Sequence, residues 1–417
     1  MKTNYRRTRF TCFFTFPALT PVFVLPPILF ATFRQMYGIS YTLLGTLVLV
    51  SFCTQLAVDL VFAFFSRHFN IHKTIRTMPL LSALGLVIYA LVPWLLPQHA
   101  YAGLLVGTII FSVASGLDEA LLSPTLAALP SDNPQRDMSI LHSMYGYGSA
   151  VITVISTLFL QIFGRESWMY LTLFWAILPV IDWVLFQISP LPEISIHQDA
   201  AGHRCKRRNT GLALCAIVIF LGSAAENTMT NWICVYMERA LQIPKALGDL
   251  LGLVTFALLL ALARSLYAKY GKRIFPVLMT GMIGALGCYL LAGLSSNLII
   301  AMVACMLTGI CTSMLWPGTL ILMEEEFPDP GVAAYAIMAA GGDFGASVAP
   351  QALGIVADTV AAGEQAVSLG EKIGLSPEQI GIKAGMLTAA IFPLLAIFPV
   401  LGIGMLLLLK RFLAKKA

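Results

Sequence analysis

Long apolar stretches recur along almost the whole of this chain, and they leave few architectures open. Nearly every window of about 20–25 residues is apolar, and a helix needs about 20 such residues to cross a hydrocarbon layer about 30 Å thick. A membrane interior has no water to satisfy backbone N–H and C=O groups, so a spanning chain is helical or closed into a barrel. Barrel strands are about 10 residues long and alternate in polarity. These stretches are longer and evenly apolar. Only 11% of the 417 residues are charged, against about 25% in soluble proteins. The expected fold class is an all-α polytopic membrane protein with the lipid bilayer as its surroundings. Twelve transmembrane helices are expected near 12–33, 40–65, 75–97, 101–128, 137–163, 167–189, 211–237, 247–267, 274–294, 297–323, 332–358 and 384–410. Lys2, Arg6, Arg7 and Arg9 before the first stretch imitate a signal peptide, but no small-residue cleavage pattern follows, so it is read as span one.

Charge and cysteine usage exclude several function classes. The net charge of +5 resides in short loops and predicts no nucleic-acid partner. Of eight cysteines, none forms a CxxC pair and seven lie in or beside apolar spans, which predicts packing residues. His197, His203 and Cys205 share a loop without the spacing of a metal site. No Walker motif, dinucleotide fingerprint, nucleophile–base pair or soluble domain is visible, so neither a cofactor nor an enzyme activity is expected.

The longest polar loop, residues 190–210, holds Arg204, Lys206, Arg207 and Arg208 and divides the chain. The expected domains are an N-terminal six-helix bundle, 1–189, a cytoplasmic basic linker, 190–210, and a C-terminal six-helix bundle, 211–417. All of the 26 Lys and Arg residues except Arg34, Arg165, Arg239, Lys245, Lys372 and Lys383 fall on one side of the twelve spans. By the positive-inside rule that side is cytoplasmic, so both termini are expected there, in the plasma membrane. Pro17, Pro21, Pro26 and Pro27 in span one, and Pro393 and Pro399 in span twelve, predict kinked or broken helices. Ser376-Pro-Glu-Gln379 has the form of a capping box and predicts a short amphipathic helix leading into span twelve.

The two halves share a motif. Residues 115–124 and 308–317 each carry a hydroxyl residue, then Gly, then Pro eight residues after the Gly. Tyr145-Gly-Tyr-Gly148 is echoed by Gly342-Asp-Phe-Gly345. Internal duplication of a membrane bundle points to transport, and acids at membrane depth point to its working site. Asp118 and Glu119 occur only in the first copy. Ser112, Ser115, Glu119 and Ser123 fall on one helical face, which makes Glu119 lumen-facing and the expected proton-coupling residue. Asp118, the second proton-coupling candidate, points about 100° away, toward a neighbouring helix or a basic partner.

Further polar stripes at helical spacing mark a candidate solute site. Span seven offers Ser223, Glu226 and Thr230, with Asn227, Asn231 and Trp232 beside them. Span five offers His142, Tyr145 and Ser149; span ten, Thr308, Thr312, Trp316 and Thr319; span eleven, Asp343, Ser347 and Gln351. The expected solute-lining residues are His142, Tyr145, Glu226, Asn227, Trp316 and Asp343. Hydroxyls, amides and an aromatic ring suit a sugar or another small polar solute. For any single stripe, hydrogen bonding between helices is the more common use. Asp59 with Arg67 near the end of span two, and Arg264 near the end of span eight, are expected to latch helices at the cytoplasmic face.

Twelve spans, the basic central loop and Asp59 followed by Arg67 resemble the major facilitator superfamily, although the glycines of its signature loop are missing. A closer resemblance is to its fucose-permease-like sugar:proton symporters. It rests on Glu119 five residues before Pro124, His142 six before Gly148, Ala225-Glu-Asn227 with Trp232, Trp316-Pro-Gly318, and Gly341-Gly-Asp-Phe-Gly345 with Pro350. The resemblance implies alternating access and a proton site at Glu119. Three positions depart from it: span one has no acid between residues 10 and 33, Ser123 replaces an Asn, and His142 replaces a Gln. The expected function is secondary active transport of a small polar solute, most simply a sugar, coupled to protons, by a monomer. A proton-coupled exporter of drugs or metabolites and a transport-inactive sensor or scaffold are the alternatives.

Overall fold

The computed structural model describes residues 5–65, 68–132, 134–192, 206–271, 273–326 and 332–414. Among them there is no strand, and twelve helices are long and apolar enough to cross a membrane. They run Arg6–Tyr37, Tyr41–Phe62, Ile71–Leu95, Pro97–Leu122, Met144–Phe163 and Arg165–Ile188, then Thr210–Ala240, Lys245–Tyr267, Ile274–Leu294, Leu298–Met323, Ile337–Ala361 and Pro377–Leu406. They are numbered here as spans one to twelve. Large outward-facing side chains such as Ile162, Leu294 and Phe398 are exposed, as a lipid-facing surface requires.

Prolines decide where the spans break. A proline has no N–H, so the carbonyl four residues before it loses its helical donor. Span one divides into Arg6–Leu19 and Pro21–Tyr37. Span twelve divides into Pro377–Ala389 and Ile391–Ala414, three residues before Pro393. Span six breaks at Ala176, ahead of Pro179. Span ten ends its first helix, Leu298–Thr312, in a turn through Ser313–Trp316, and resumes as Pro317–Glu326. The capping box at Ser376 forms, with Gln379 N donating to Ser376 Oγ at 3.2 Å and Ser376 N donating to Gln379 Oε1 at 2.8 Å. It opens span twelve itself. The short amphipathic helix is the preceding segment, Glu364–Ile373, which ends at Gly374 in the left-handed region. The capping sequence therefore opens a short helix, Pro377–Ala389, that leads into Ile391–Ala414 as expected, while the amphipathic character lies in the helix before it.

The chain divides into two compact units. One comprises Met1–His197 with Ile243–Ala257, the other Gln198–Gln242 with Leu258–Ala417. The first unit is centred on Cys12, Phe62, Met78, Leu121 and Phe186. The second is centred on Cys215, Leu278, Met282, Leu315 and Val400. The start of span eight is held in the first unit by a buried ion pair. Lys245 Nζ lies 3.2 Å from Asp249 Oδ2 and donates to Ile28 O, while Thr157 Oγ1 donates to Asp249 Oδ2 at 3.3 Å.

Candidate functional site

In the first unit, spans two and four meet along a polar ladder. Ser51 Oγ and Ser112 Oγ are 2.8 Å apart. Gln55, one turn further along span two, donates its amide to Ser51 O and Ser51 Oγ at 3.3 Å. The next step brings a carboxylate oxygen of Asp59 within 4.8 Å of one from Glu119. Gly116 sets the separation: a Cβ there would lie 2.9 Å from Val58 Cβ and 3.1 Å from Gln55 Cα. The glycine of the first motif copy thus lets span two approach span four beside the acids.

The two neighbouring acids of span four face different surroundings. Glu119 is exposed, although it lies within a span. Asp118 is 7% exposed, with Oδ1 buried and without a hydrogen-bond partner. Asp59 is half-buried. Arg67, its expected partner, lies outside the described residues, as do His197, His203 and Cys205. His142 falls in the helix Pro134–Phe163, but its side chain is outside the described residues. Tyr145, in the same helix, is half-buried and meets Phe23 edge-on at 6.0 Å. The hydroxyl of Ser149 is buried without a hydrogen-bond partner.

In the second unit, Glu226 and Arg264 join. Arg264 Nη2 lies 3.1 Å from Glu226 Oε1 and 3.2 Å from Oε2, while Nε donates to Ser313 O at 2.8 Å. Pro317 explains the last contact, because residue 317 would supply the helical N–H for the carbonyl of residue 313 and proline has none. One guanidinium therefore neutralises the span-seven acid and satisfies the carbonyl orphaned at the break in span ten. Glu226, expected to line a solute site, and Arg264, expected to latch helices, are brought together as one element. Asn227 remains half-buried beside them and donates to Ser223 O and Oγ at 3.2 Å.

Trp316, in the turn that interrupts span ten, lies over Gly342. A Cβ at Gly342 would come 2.2 Å from the Trp316 ring. Asp343, the next residue, is 3% exposed. The threonines of span ten are directed otherwise: Thr308, Thr312 and Thr319 are fully buried and donate to Ala304 O, Thr308 O and Leu315 O of their own span. Such back-bonding consumes the hydroxyl proton locally. Trp232 is also buried, donating Nε1 to Pro350 O at 3.0 Å across to span eleven.

Three polar groupings have no counterpart among the expected site residues. Lys245 and Asp249 form the buried pair described above. Lys383 donates to Ser295 O at 2.8 Å, near the end of span nine. Thr8, Thr11 and Thr15 are fully buried along span one and meet span six and the segment after it. Thr11 Oγ1 lies 3.0 Å from Ser189 Oγ, and Thr15 Oγ1 lies 3.1 Å from Asp182 Oδ1. The three-and-four spacing of these threonines, and the i, i+4 spacing of Lys245 and Asp249, were the available signals.

Comparison with known proteins yields a family and a fold. A family model described as Major Facilitator Superfamily matches residues 11–350. No curated protein matches the chain. Among solved structures, a bacterial homolog of the human lysosomal transporter Spinster, in an inward-facing and occupied conformation, aligns with a TM-score of 0.73 at 12% identity, over 97% of this chain and 98% of that one. A D-xylose–proton symporter aligns with a TM-score of 0.70 at 13% identity, over 94% and 97%. The E. coli fucose:proton symporter aligns with a TM-score of 0.58 at 14% identity, over 94% and 99%. At these identities the likeness establishes a shared fold.

Proposed function

We propose, since this chain belongs to the major facilitator superfamily, that it moves a small polar solute of the sugar class by alternating access, driven by protons taken up at Glu119. That it is a multi-pass membrane protein of a secondary-transporter family follows from the family and the twelve apolar helices. The solute class, the proton coupling, the halves 1–189 and 211–417, and the cytoplasmic placement of both termini in the plasma membrane belong to the proposal.

The observation that carries it is the contrast between Asp118 and Glu119. An ionised carboxylate at membrane depth costs about 2.5–3.5 kcal/mol on insertion scales, so such a residue is expected to face water or a partner. Glu119 is exposed within its span and stands beside Asp59, at the end of a polar ladder. An exposed carboxylate within a span can accept and release a proton as access alternates. For the solute, Asn227, Tyr145 and Trp316 offer an amide, a phenol and an indole at half-buried positions. These groups are suited to hydroxyl-rich ligands through hydrogen bonds and ring stacking. The ion pair of Glu226 with Arg264 serves in this reading as the support that fixes span seven beside the turn carrying Trp316.

Thermal stabilisation of the purified protein by a panel of sugars, nucleosides, peptides and hydrophobic cations tests the solute class. The proposal expects stabilisation by one or more sugars. Stabilisation by hydrophobic cations alone would instead support an exporter. Absence of counterflow with every solute would support a transport-inactive sensor.

A further inference from the structure

Asp182 of span six is fully buried and outside the candidate site described above. Its Oδ2 is buried without a hydrogen-bond partner, and its Oδ1 lies 3.1 Å from Thr15 Oγ1. That hydroxyl also lies 2.9 Å from Thr11 O. A threonine has one hydroxyl proton to donate and lone pairs to accept with, so it cannot donate to both oxygens. If Asp182 is ionised, either its carboxylate or the Thr11 carbonyl forfeits that donor. If Asp182 carries a proton, the acid donates to Thr15 Oγ1, Thr15 donates to Thr11 O, and the unpartnered Oδ2 is left as a neutral carbonyl oxygen instead of half of a buried charge.

Among the described residues no cation pairs with Asp182: Arg7 of span one reaches span six but donates to Ile188 O at 3.1 Å. Among the described residues neither Asp182 nor Asp118 has an ion pair. Span one presents Thr11, Cys12 and Thr15 to this region, and span four presents Asp118, which is within electrostatic reach of both Cys12 and Asp182. Span three also packs along span six. Its charged or titratable residues His72, Lys73 and Arg76 are all in its first two turns, and none follows before Tyr89. Gln187 donates to Arg76 O at 3.1 Å, which puts Gln187 level with Arg76. Asp182 lies five residues deeper, about 7.5 Å along the helix.

We propose that Asp182, with Thr15 and Asp118 around it, is a second proton-binding site, enclosed in the first unit and distinct from the exposed Glu119. The ligand is a proton: one carboxylate of this pair becomes a carboxylic acid, and the Asp182 O–H donates to Thr15 Oγ1. As a store of a proton for the transport cycle, the site rests on the transport reading above. As a bound proton, it does not.

Infrared spectroscopy of the full chain in liposomes tests the bound proton directly. Carbon-13 labelling of aspartate identifies the C=O stretch of any protonated aspartic acid and leaves Glu119 unshifted, so the result is independent of solute and coupling. The wild type at pH 7 is expected to show a label-sensitive carboxylic-acid band. Asp182→Asn, whose amide preserves the contact with Thr15, should lose that band, and Glu119→Gln should keep it. Absence of the band in the wild type, or its full retention in Asp182→Asn, would overturn the proposal. Should Asp182→Asn not fold, Thr15→Val provides the second arm, because it removes the acceptor of the acid's proton. The band is then expected to shift, and an unchanged frequency counts against the site. Loss of the band on adding sodium chloride at constant pH would make a metal cation the ligand and would also overturn it.

Discussion

Glu226 and Arg264 depend on each other, and the dependence has a direction. Truncating Arg264 to Met leaves the Glu226 carboxylate and the Ser313 carbonyl without their donor. A hydrogen bond to a charged group contributes about 1.5–3 kcal/mol. The guanidinium is 34% exposed, so solvent screening lowers the expected loss to about 1–2 kcal/mol. Chemical denaturation of Arg264→Met should register that loss, and Arg264→Met combined with Glu226→Gln should recover part of it. Gly342→Ala is expected to act on function more than on stability. Its methyl would displace the Trp316 ring, so solute affinity should fall at least tenfold while the protein remains folded, as read by ligand-induced thermal shift. The orientation of Glu119, exposed where Asp118 is buried, was readable in sequence as a 3.6-residue period. The pairing of Arg264 was not readable, because its partner lies 38 residues away in the chain and only tertiary structure selects it among the acids.

Elements are positioned by what their backbones lack. Span ten is interrupted because Pro317 withholds a donor from Ser313, and that interruption carries Trp316. Pro317→Ala would return the N–H, let the helix continue and compete with Arg264 for the Ser313 carbonyl. Its thermal stability should match or exceed that of the wild type while transport falls at least tenfold, a combination that simple misfolding does not produce. Close approach of spans two and four depends on Gly116. Gly116→Val would drive a branched side chain into Val58 and cost about 1–3 kcal/mol through overpacking, measurable as reduced unfolding temperature. Periodicity located the polar face of span four but not its partner. Ser51, Gln55 and Asp59 recur every fourth residue in span two, yet nothing local says which neighbour that face meets. The same limit applies to span ten, whose regularly spaced threonines are hydrogen-bonded to their own span.

For the molecule as a whole, twelve spans could be read directly from sequence, because the bilayer imposes length and polarity on each one. The grouping of Ile243–Ala257 with the first unit could not, because it depends on the contacts of Lys245 and Asp249 with span one and span five. Lys245→Met leaves Asp249 buried and charged. Breaking a buried pair from one side costs about 3–5 kcal/mol, so this variant should be markedly less stable than Lys245→Met combined with Asp249→Asn. The central claim, that Glu119 couples proton movement to solute movement, is tested most directly in liposomes with an imposed pH gradient. Uptake of a stabilising sugar by wild type and by Glu119→Gln would be compared with its counterflow in the absence of a gradient. The account predicts that Glu119→Gln loses gradient-driven uptake and retains counterflow. Undiminished gradient-driven uptake by Glu119→Gln would contradict it.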